Sequence, residues 1–239
     1  MFASSRKIAV SPPTGLLRAL GVAALVTALA TACSYLLPDG WAAYGVGLTF
    51  LGAAYWLVVR GDDDLRIREH GLSLGGVVEL APLSWPRIAK HTLRALAYAL
   101  GAALLIYPFF WLGFRLWWNV DHFHPAPFRP VLNDAGGQLL MIALPEEAFY
   151  RGYLQTTLER ELDKSVTIFG TRVGWGIVLT SAIFAVGHLL TELNPARLAV
   201  FFPSLVFGIL RARTGGIGAS VLFHAMCNLF SAYLIRSYL

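Results

Sequence analysis

The stretch 15–37, GLLRALGVAALVTALATACSYLL, carries a single charged side chain, Arg18, along its whole length. At 1.5 Å per helical residue such a run covers a hydrocarbon core about 30 Å thick. Comparable runs follow at about 41–60, 92–114, 135–157, 174–190, 197–211 and 215–236. The composition points the same way, with 56% hydrophobic against 14% charged residues in 239 and a mean hydropathy of +0.60. A soluble enzyme of this length needs more charge. The expected fold is all-α: a polytopic membrane helical bundle of about seven transmembrane helices.

Two connections are long. The segment 61–91 opens with Asp62, Asp63 and Asp64 and is broken by Gly71, Gly75, Gly76, Pro82 and Pro86. It reads as an extramembrane loop holding a solvated aspartate turn and a small hairpin. The segment 115–134 is rich in aromatics and proline and contains His122 and His124, which suits a loop lying at the membrane interface. No internal repeat divides the chain, so 1–134 is expected to supply supporting helices and 135–239 a catalytic core within one integral domain. Cys33 and Cys227 lie in different apolar runs and read as small buried side chains. Leu29 to Cys33 faintly resembles a lipoprotein cleavage box, but the apolar run continues past it and an uncleaved first helix is expected.

Net charge is +5 and the pI about 9.4, yet the basic residues stand singly between apolar runs, which argues against nucleic acid as a partner. They are unevenly divided between the two ends of the runs. Arg6, Lys7, Arg18, Arg60, Arg66, Arg68, Arg87, Lys90, Arg94, Arg160, Lys164, Arg172, Arg211 and Arg213 fall on one side, and Arg115, Arg129, Arg197 and Arg236 on the other. Basic loops are retained in the cytoplasm. The N-terminus is therefore expected inside and the C-terminus outside, in what is expected to be a bacterial inner (plasma) membrane.

Ionisable side chains at a bilayer centre cost about 2.5–3.5 kcal/mol each on insertion scales, so those within the runs are functional candidates. They are Glu146, Glu147 and Arg151 in the fourth run, His188 in the fifth, and His224 with the amide Asn228 in the seventh. Four-residue spacing pairs Glu147 with Arg151 on one helix face and aligns Phe184 with His188 and His224 with Asn228. Adjacent Glu146 and Glu147 diverge by about 100° on a helix, so they are expected to serve different partners. Glu147 then braces the site from its ion pair, and Glu146 faces a cavity as a general base. Pro145, lacking an N–H, is expected to kink the helix and open room beside it.

Taken together, Glu146-Glu147-Ala-Phe-Tyr-Arg151, Phe184-Ala-Val-Gly-His188 and His224-Ala-Met-Cys-Asn228 resemble the EExxxR, FxxxH and HxxxN signatures of the CPBP intramembrane proteases, also called the Abi family, to which the C-a-a-X prenyl proteases belong. The resemblance covers about 146–228. It implies a glutamate-dependent endopeptidase in which Glu146 and His188 activate water while His224 and Asn228 stabilise the oxyanion. Glu147, Arg151 and Phe184 then support that set. An outward-tilted site, with the aromatic segment 115–134 on the same side, suits cleavage of a membrane-anchored protein or peptide in a C-terminal tail or leader, and no cofactor is expected.

A zinc site is the rival chemistry, since Glu146, His188 and His224 are ordinary zinc ligands. The chain has no HExxH helix, and an amide beside the second histidine suits an oxyanion better than zinc. A GxSxG nucleophile elbow is likewise missing from the sequence. A non-catalytic transport or scaffold protein using the polar cluster to bind partners is the alternative from another class. Counting along the helices puts Glu146 and His224 near the midplane and His188 and Asn228 somewhat outward. A reporter fused after Leu239 is expected outside the cytoplasm; a cytoplasmic signal would overturn the orientation and the outward-tilted site with it.

Overall fold

The structure, a computed structural model, describes residues 14–162 and 164–239. Arg6 and Lys7, part of the charge argument, lie outside the described residues. Helix α1, Thr14–Leu36, is stopped before Pro38, and α2, Asp39–Ala54, returns beside it and ends in a π-helical turn at Tyr55–Val59. The pair is close at Gly45, where a Cβ would sit 3.2 Å from the Cys33 Cβ of α1. Gly47 does the same for the next helix, where a Cβ would lie 2.5 Å from the Met141 carbonyl. Five helical segments among the described residues are long and apolar enough to cross a membrane, and Trp175–Thr191 is a shorter apolar one.

Segment 61–91 contains no hairpin. Asp63 instead accepts the N–H groups of Leu65 (2.9 Å) and Arg66 (3.2 Å), capping a short helix α3, Asp64–Glu69, and a 3-10 turn follows at Leu74–Gly76. The segment is folded around Glu79, whose fully buried carboxylate takes Arg68 at 2.7 Å, Arg87 at 2.6 Å and the Ser73 hydroxyl. Gly71 in turn accepts Ile217 N–H at 3.0 Å, which fastens this cap to one end of the bundle.

Helix α4, Trp85–Trp118, is longer than the expected span at both ends, because Pro86 starts it in the first turn and Asn119 ends it in the left-handed region at φ 50°. At about 51 Å it must project beyond a bilayer core. Segment 115–134 is correspondingly less loop than expected: beyond α4 it includes a short helix α5, Phe128–Asn133. His124 N–H donates to the Ser237 carbonyl at 2.9 Å, and Phe123 packs on Tyr238, which holds this segment to the last helix.

Residues 135–161, labelled α6 here, form one right-handed helical rod in which α-turns alternate with π-winding at Gln138–Ala143 and Ala148–Gln155. A two-stranded hairpin follows, β1 Ser165–Ile168 with β2 Thr171–Gly174, turning through Phe169 and Gly170, both at positive φ. This hairpin is a small addition to the all-α bundle that the sequence predicts. Its signal is the β-branched pattern of Ser-Val-Thr-Ile and Thr-Arg-Val around a tight turn. Helix α7 is Trp175–Thr191, α8 is Phe201–Thr214 led in by a 3-10 turn at Pro195–Val200, and α9 is Gly218–Tyr238.

Contacts between non-neighbouring segments fix which ends lie together. Arg160 pairs with Glu69 at 2.8 Å, Arg211 donates to the Glu69 carbonyl at 2.9 Å and Arg213 to that of Phe169 at 2.8 Å. At the opposite end Arg236 meets Asp134 at 3.5 Å and the Trp111 indole donates to Tyr238 at 2.8 Å. The cap, the hairpin and most basic residues therefore share one end of the bundle, as the division of charge in the sequence requires.

The cap couples to pH through two groups. Burial lowers the His70 imidazole below its ordinary value, aided by Arg160, Arg66 and Arg211 and opposed by its bond to the Arg66 carbonyl. Hydrogen bonds from Arg68 and Arg87 hold the Glu79 carboxyl far below the usual carboxylate range. Both folded-state values are depressed, so each contribution is complete above the unfolded-state value and is lost as pH falls. Proteolysis within 61–84 should quicken as pH drops below about 6.5 and again below about 4.3; a rate flat between pH 8 and 4 would contradict this.

Candidate active site

The polar residues of the three signatures meet. Glu146 Oε2 lies 3.8 Å from His224 Nε2 and 4.0 Å from His188 Nε2, although they come from α6, α9 and α7. Both gaps exceed a hydrogen bond, and both are short enough for one oxygen atom to bond to carboxylate and imidazole at once. Glu146 Oε2 makes no hydrogen bond within the protein among the described residues. Asn228 lines the same cavity as these three.

The far side of each imidazole is committed. His188 Nδ1 sits 3.0 Å from the Phe184 carbonyl, four residues back along α7. A carbonyl only accepts, so Nδ1 carries the proton and Nε2 faces Glu146. His224 Nδ1 sits 3.0 Å from Glu147 Oε1. The same oxygen accepts Arg151 Nη1 at 2.9 Å in an ion pair with no exposed side-chain surface on either partner. A guanidinium and an imidazole are thus both aimed at Glu147 Oε1.

The expectation that adjacent glutamates cannot serve one partner is therefore corrected. The two carboxylates address opposite nitrogens of the same His224 ring, and an angular separation of about 100° lets them straddle it rather than diverge. Glu147 orients His224 as well as pairing with Arg151. The neighbourhood of Pro145 also differs from a simple kink. The helix continues through Leu144–Glu147, and the missing N–H and ring bulk are absorbed next to the π-winding of Gln138–Ala143.

Arg151 is buried by means the sequence only partly announces. Its Nη2 donates to the Ser204 hydroxyl at 2.6 Å and to the Ser204 carbonyl at 3.0 Å, while its guanidinium lies 4.7 Å from the Phe184 ring and 5.1 Å from that of Phe207. Phe184 is packed at once on Arg151, on His188 with centroids 4.3 Å apart, and on His224 at 5.8 Å. Phe207 stacks on the other face of the site, 4.7 Å from the His224 ring and within 15° of parallel. Ser204 and Phe207 carry no sequence signal, because a serine and a phenylalanine in an apolar helix look like many others.

Gln138 is the other residue sequence reasoning missed. Its Oε1 accepts Asn228 Nδ2 at 2.9 Å across ninety residues of chain. One amide hydrogen of Asn228 is thereby fixed and the second remains to donate. A polar Gln in an apolar run was the available signal. His122 and His124 line no part of this site, and Cys33 and Cys227 are both free thiols.

The site forms the inner wall of a cavity of about 530 Å³. From Thr27, Phe184 and His224 the lining runs to Ser34, Ala42, Thr191 and Ile235, all toward the bundle end opposite the cap. Among the described residues no group of three His, Cys, Asp or Glu side chains has the geometry to hold a metal ion.

Comparison with known families matches residues 131–230 to the type II CAAX prenyl endopeptidase Rce1-like family, which lies within CPBP. The match covers the three signatures and includes no part of α1, α2 or α4. No curated protein and no solved structure matches the chain.

The buried Glu147–Arg151 pair yields a direct test. Arg151→Met should destabilise the protein by about 3–5 kcal/mol, because it strands a buried carboxylate. Adding Glu147→Gln to Arg151→Met should recover part of that loss by removing the stranded charge. Thermal unfolding of the two variants in one detergent measures the difference, and a double variant less stable than Arg151→Met would contradict the pairing.

Proposed function

We propose, taking the CPBP-family segment at residues 131–230 as premise, that this chain is an intramembrane endopeptidase using a glutamate-activated water. The family match supports a CAAX-type endopeptidase in general terms. The observation that carries the finer reading is the convergence of Glu146 Oε2 with the Nε2 atoms of His188 and His224 at 4.0 and 3.8 Å inside an apolar bundle.

The reaction follows from the hydrogen-bond directions. A water between Glu146 and His188 donates one hydrogen to each acceptor, which turns an oxygen lone pair toward the scissile carbonyl carbon. Attack transfers the water proton to Glu146 and moves the carbonyl π electrons onto oxygen. That oxyanion requires donors. Asn228 offers its second Nδ2–H, and His224, whose Nδ1 lies 3.0 Å from Glu147 Oε1, offers Nε2–H in its protonated form. Collapse breaks the C–N bond, and Glu146 returns its proton to the leaving amine.

The substrate we propose is a membrane-anchored protein or peptide, cut in a tail or leader that enters the cavity from the end opposite the basic cap. By charge retention that end faces away from the cytoplasm. We also propose that hydrolysis needs no metal, since water activation here is assigned to carboxylate and imidazole alone.

Glu146→Gln preserves shape and removes the base, so it should lower kcat about 10²–10⁴-fold with the fold intact. Asn228→Ala should lower it about 10²–10³-fold through loss of an oxyanion donor. Mass spectrometry of membrane-protein termini from cells with the wild-type chain or Glu146→Gln would identify the products. Identical termini in both would favour the transport or scaffold alternative, and inhibition by 1,10-phenanthroline with rescue by zinc would overturn the metal-free mechanism.

A further inference from the structure

A second cavity lies on the opposite face of α6, at the basic end of the bundle. It is a cleft of about 260 Å³ walled by α4 and α6 and floored by α9. Its deep wall is Leu139, Leu140 and Leu144, and its mouth is marked by His91 and Arg94. Leu140 is 56% exposed on a helix whose surroundings in a bilayer are acyl chains.

The mouth is cationic. Arg94 lines it with its guanidinium 5.7 Å from the Tyr98 ring, and Arg213, which is outside the lining but next in sequence to the lining residue Thr214, lies near the same tyrosine. Neither arginine forms a salt bridge with any carboxylate among the described residues. Arg213 is instead held by the Phe169 carbonyl at 2.8 Å, and the Phe169 ring beside it is 96% exposed at the tip of the hairpin. A cationic rim, an apolar trough and an apolar finger at one level match the headgroup–acyl boundary.

We propose that this cleft binds one anionic phospholipid, its phosphate held by Arg94 and Arg213 and one acyl chain lying along Leu139, Leu140 and Leu144. Charge complementarity selects the headgroup, and the leucine wall selects a lipid over a soluble anion. Binding there would brace the back of α6, the helix that carries Glu146 and Glu147, against α4. The inference rests on the cleft and not on the peptidase reading, so it stands or falls separately.

The test uses the full chain in nanodiscs, with phosphatidylglycerol titrated into phosphatidylcholine and bound lipid counted by native mass spectrometry. Wild type should retain one phosphatidylglycerol in preference to phosphatidylcholine. Each cation is worth about five-fold in affinity, so Arg94→Gln/Arg213→Gln should weaken retention roughly 25-fold. Leu140→Trp, which fills the trough and keeps both cations, should also weaken it. Unfolding in pure phosphatidylcholine checks that both variants are folded, and competition on wild type by glycerol phosphate needs no variant. Equal retention of the two lipids by wild type, unchanged retention in both folded variants, or full displacement by glycerol phosphate would each overturn the proposal.

Discussion

One carboxylate oxygen, Glu147 Oε1, organises the centre of this molecule. It accepts Arg151 at 2.9 Å and His224 at 3.0 Å in surroundings that expose none of the Glu147 or Arg151 side chain. Isolated, any of these charges would cost far more to bury than the fold can offset. Joined, they impose positions on one another. Arg151 reaches Ser204 on α8, His224 belongs to α9, and Phe184 of α7 covers both, so the ion pair fixes four helices around one point.

α6 is irregular on both sides of this pair. Glu146 and Glu147 sit in an ordinary α-turn whose separation of about 100° lets them straddle one imidazole, while Gln138, in the upstream π-winding, reaches Asn228. Alternating π-winding on both sides of Leu144–Glu147 adjusts the facing of these residues without breaking the rod. The glycine at position 47 lets α2 approach the wide turn so closely that a methyl group would collide with the Met141 carbonyl. Irregular backbone at this depth is tolerated because it lines a cavity and packs against protein.

The two ends of the bundle are chemically distinct. One is closed by the Glu79-centred cap and carries most of the arginines, while the cavity lined by Glu146, His188, His224 and Asn228 extends toward the other. The proposed substrate entrance and the proposed lipid cleft therefore lie on separate surfaces. The rod that presents Glu146 to the first forms a wall of the second.

The sequence by itself determined the membrane class, the division of charge between the ends and the identity of Glu146, Glu147, Arg151, Phe184, His188, His224 and Asn228. Hydrophobic length and ionisable residues inside apolar runs are local properties, and a bilayer penalises each one independently of context. The Glu147–Arg151 pair was legible for the same reason, since four-residue spacing is a property of one helix. The tertiary structure alone decided that both glutamates address one histidine, that Ser204 and Phe207 bury the arginine, and that Gln138 holds Asn228. These depend on which faces of different helices meet and on π-turns that alter the facing, and a linear pattern with 3.6-residue periodicity encodes neither. The folded cap at 61–84 and the hairpin at 165–174 are not legible in the sequence, because Asp, Gly and Pro mark only where a chain turns, whereas the buried partners of Glu79 and the strand pairing are set by contacts the chain makes only once folded.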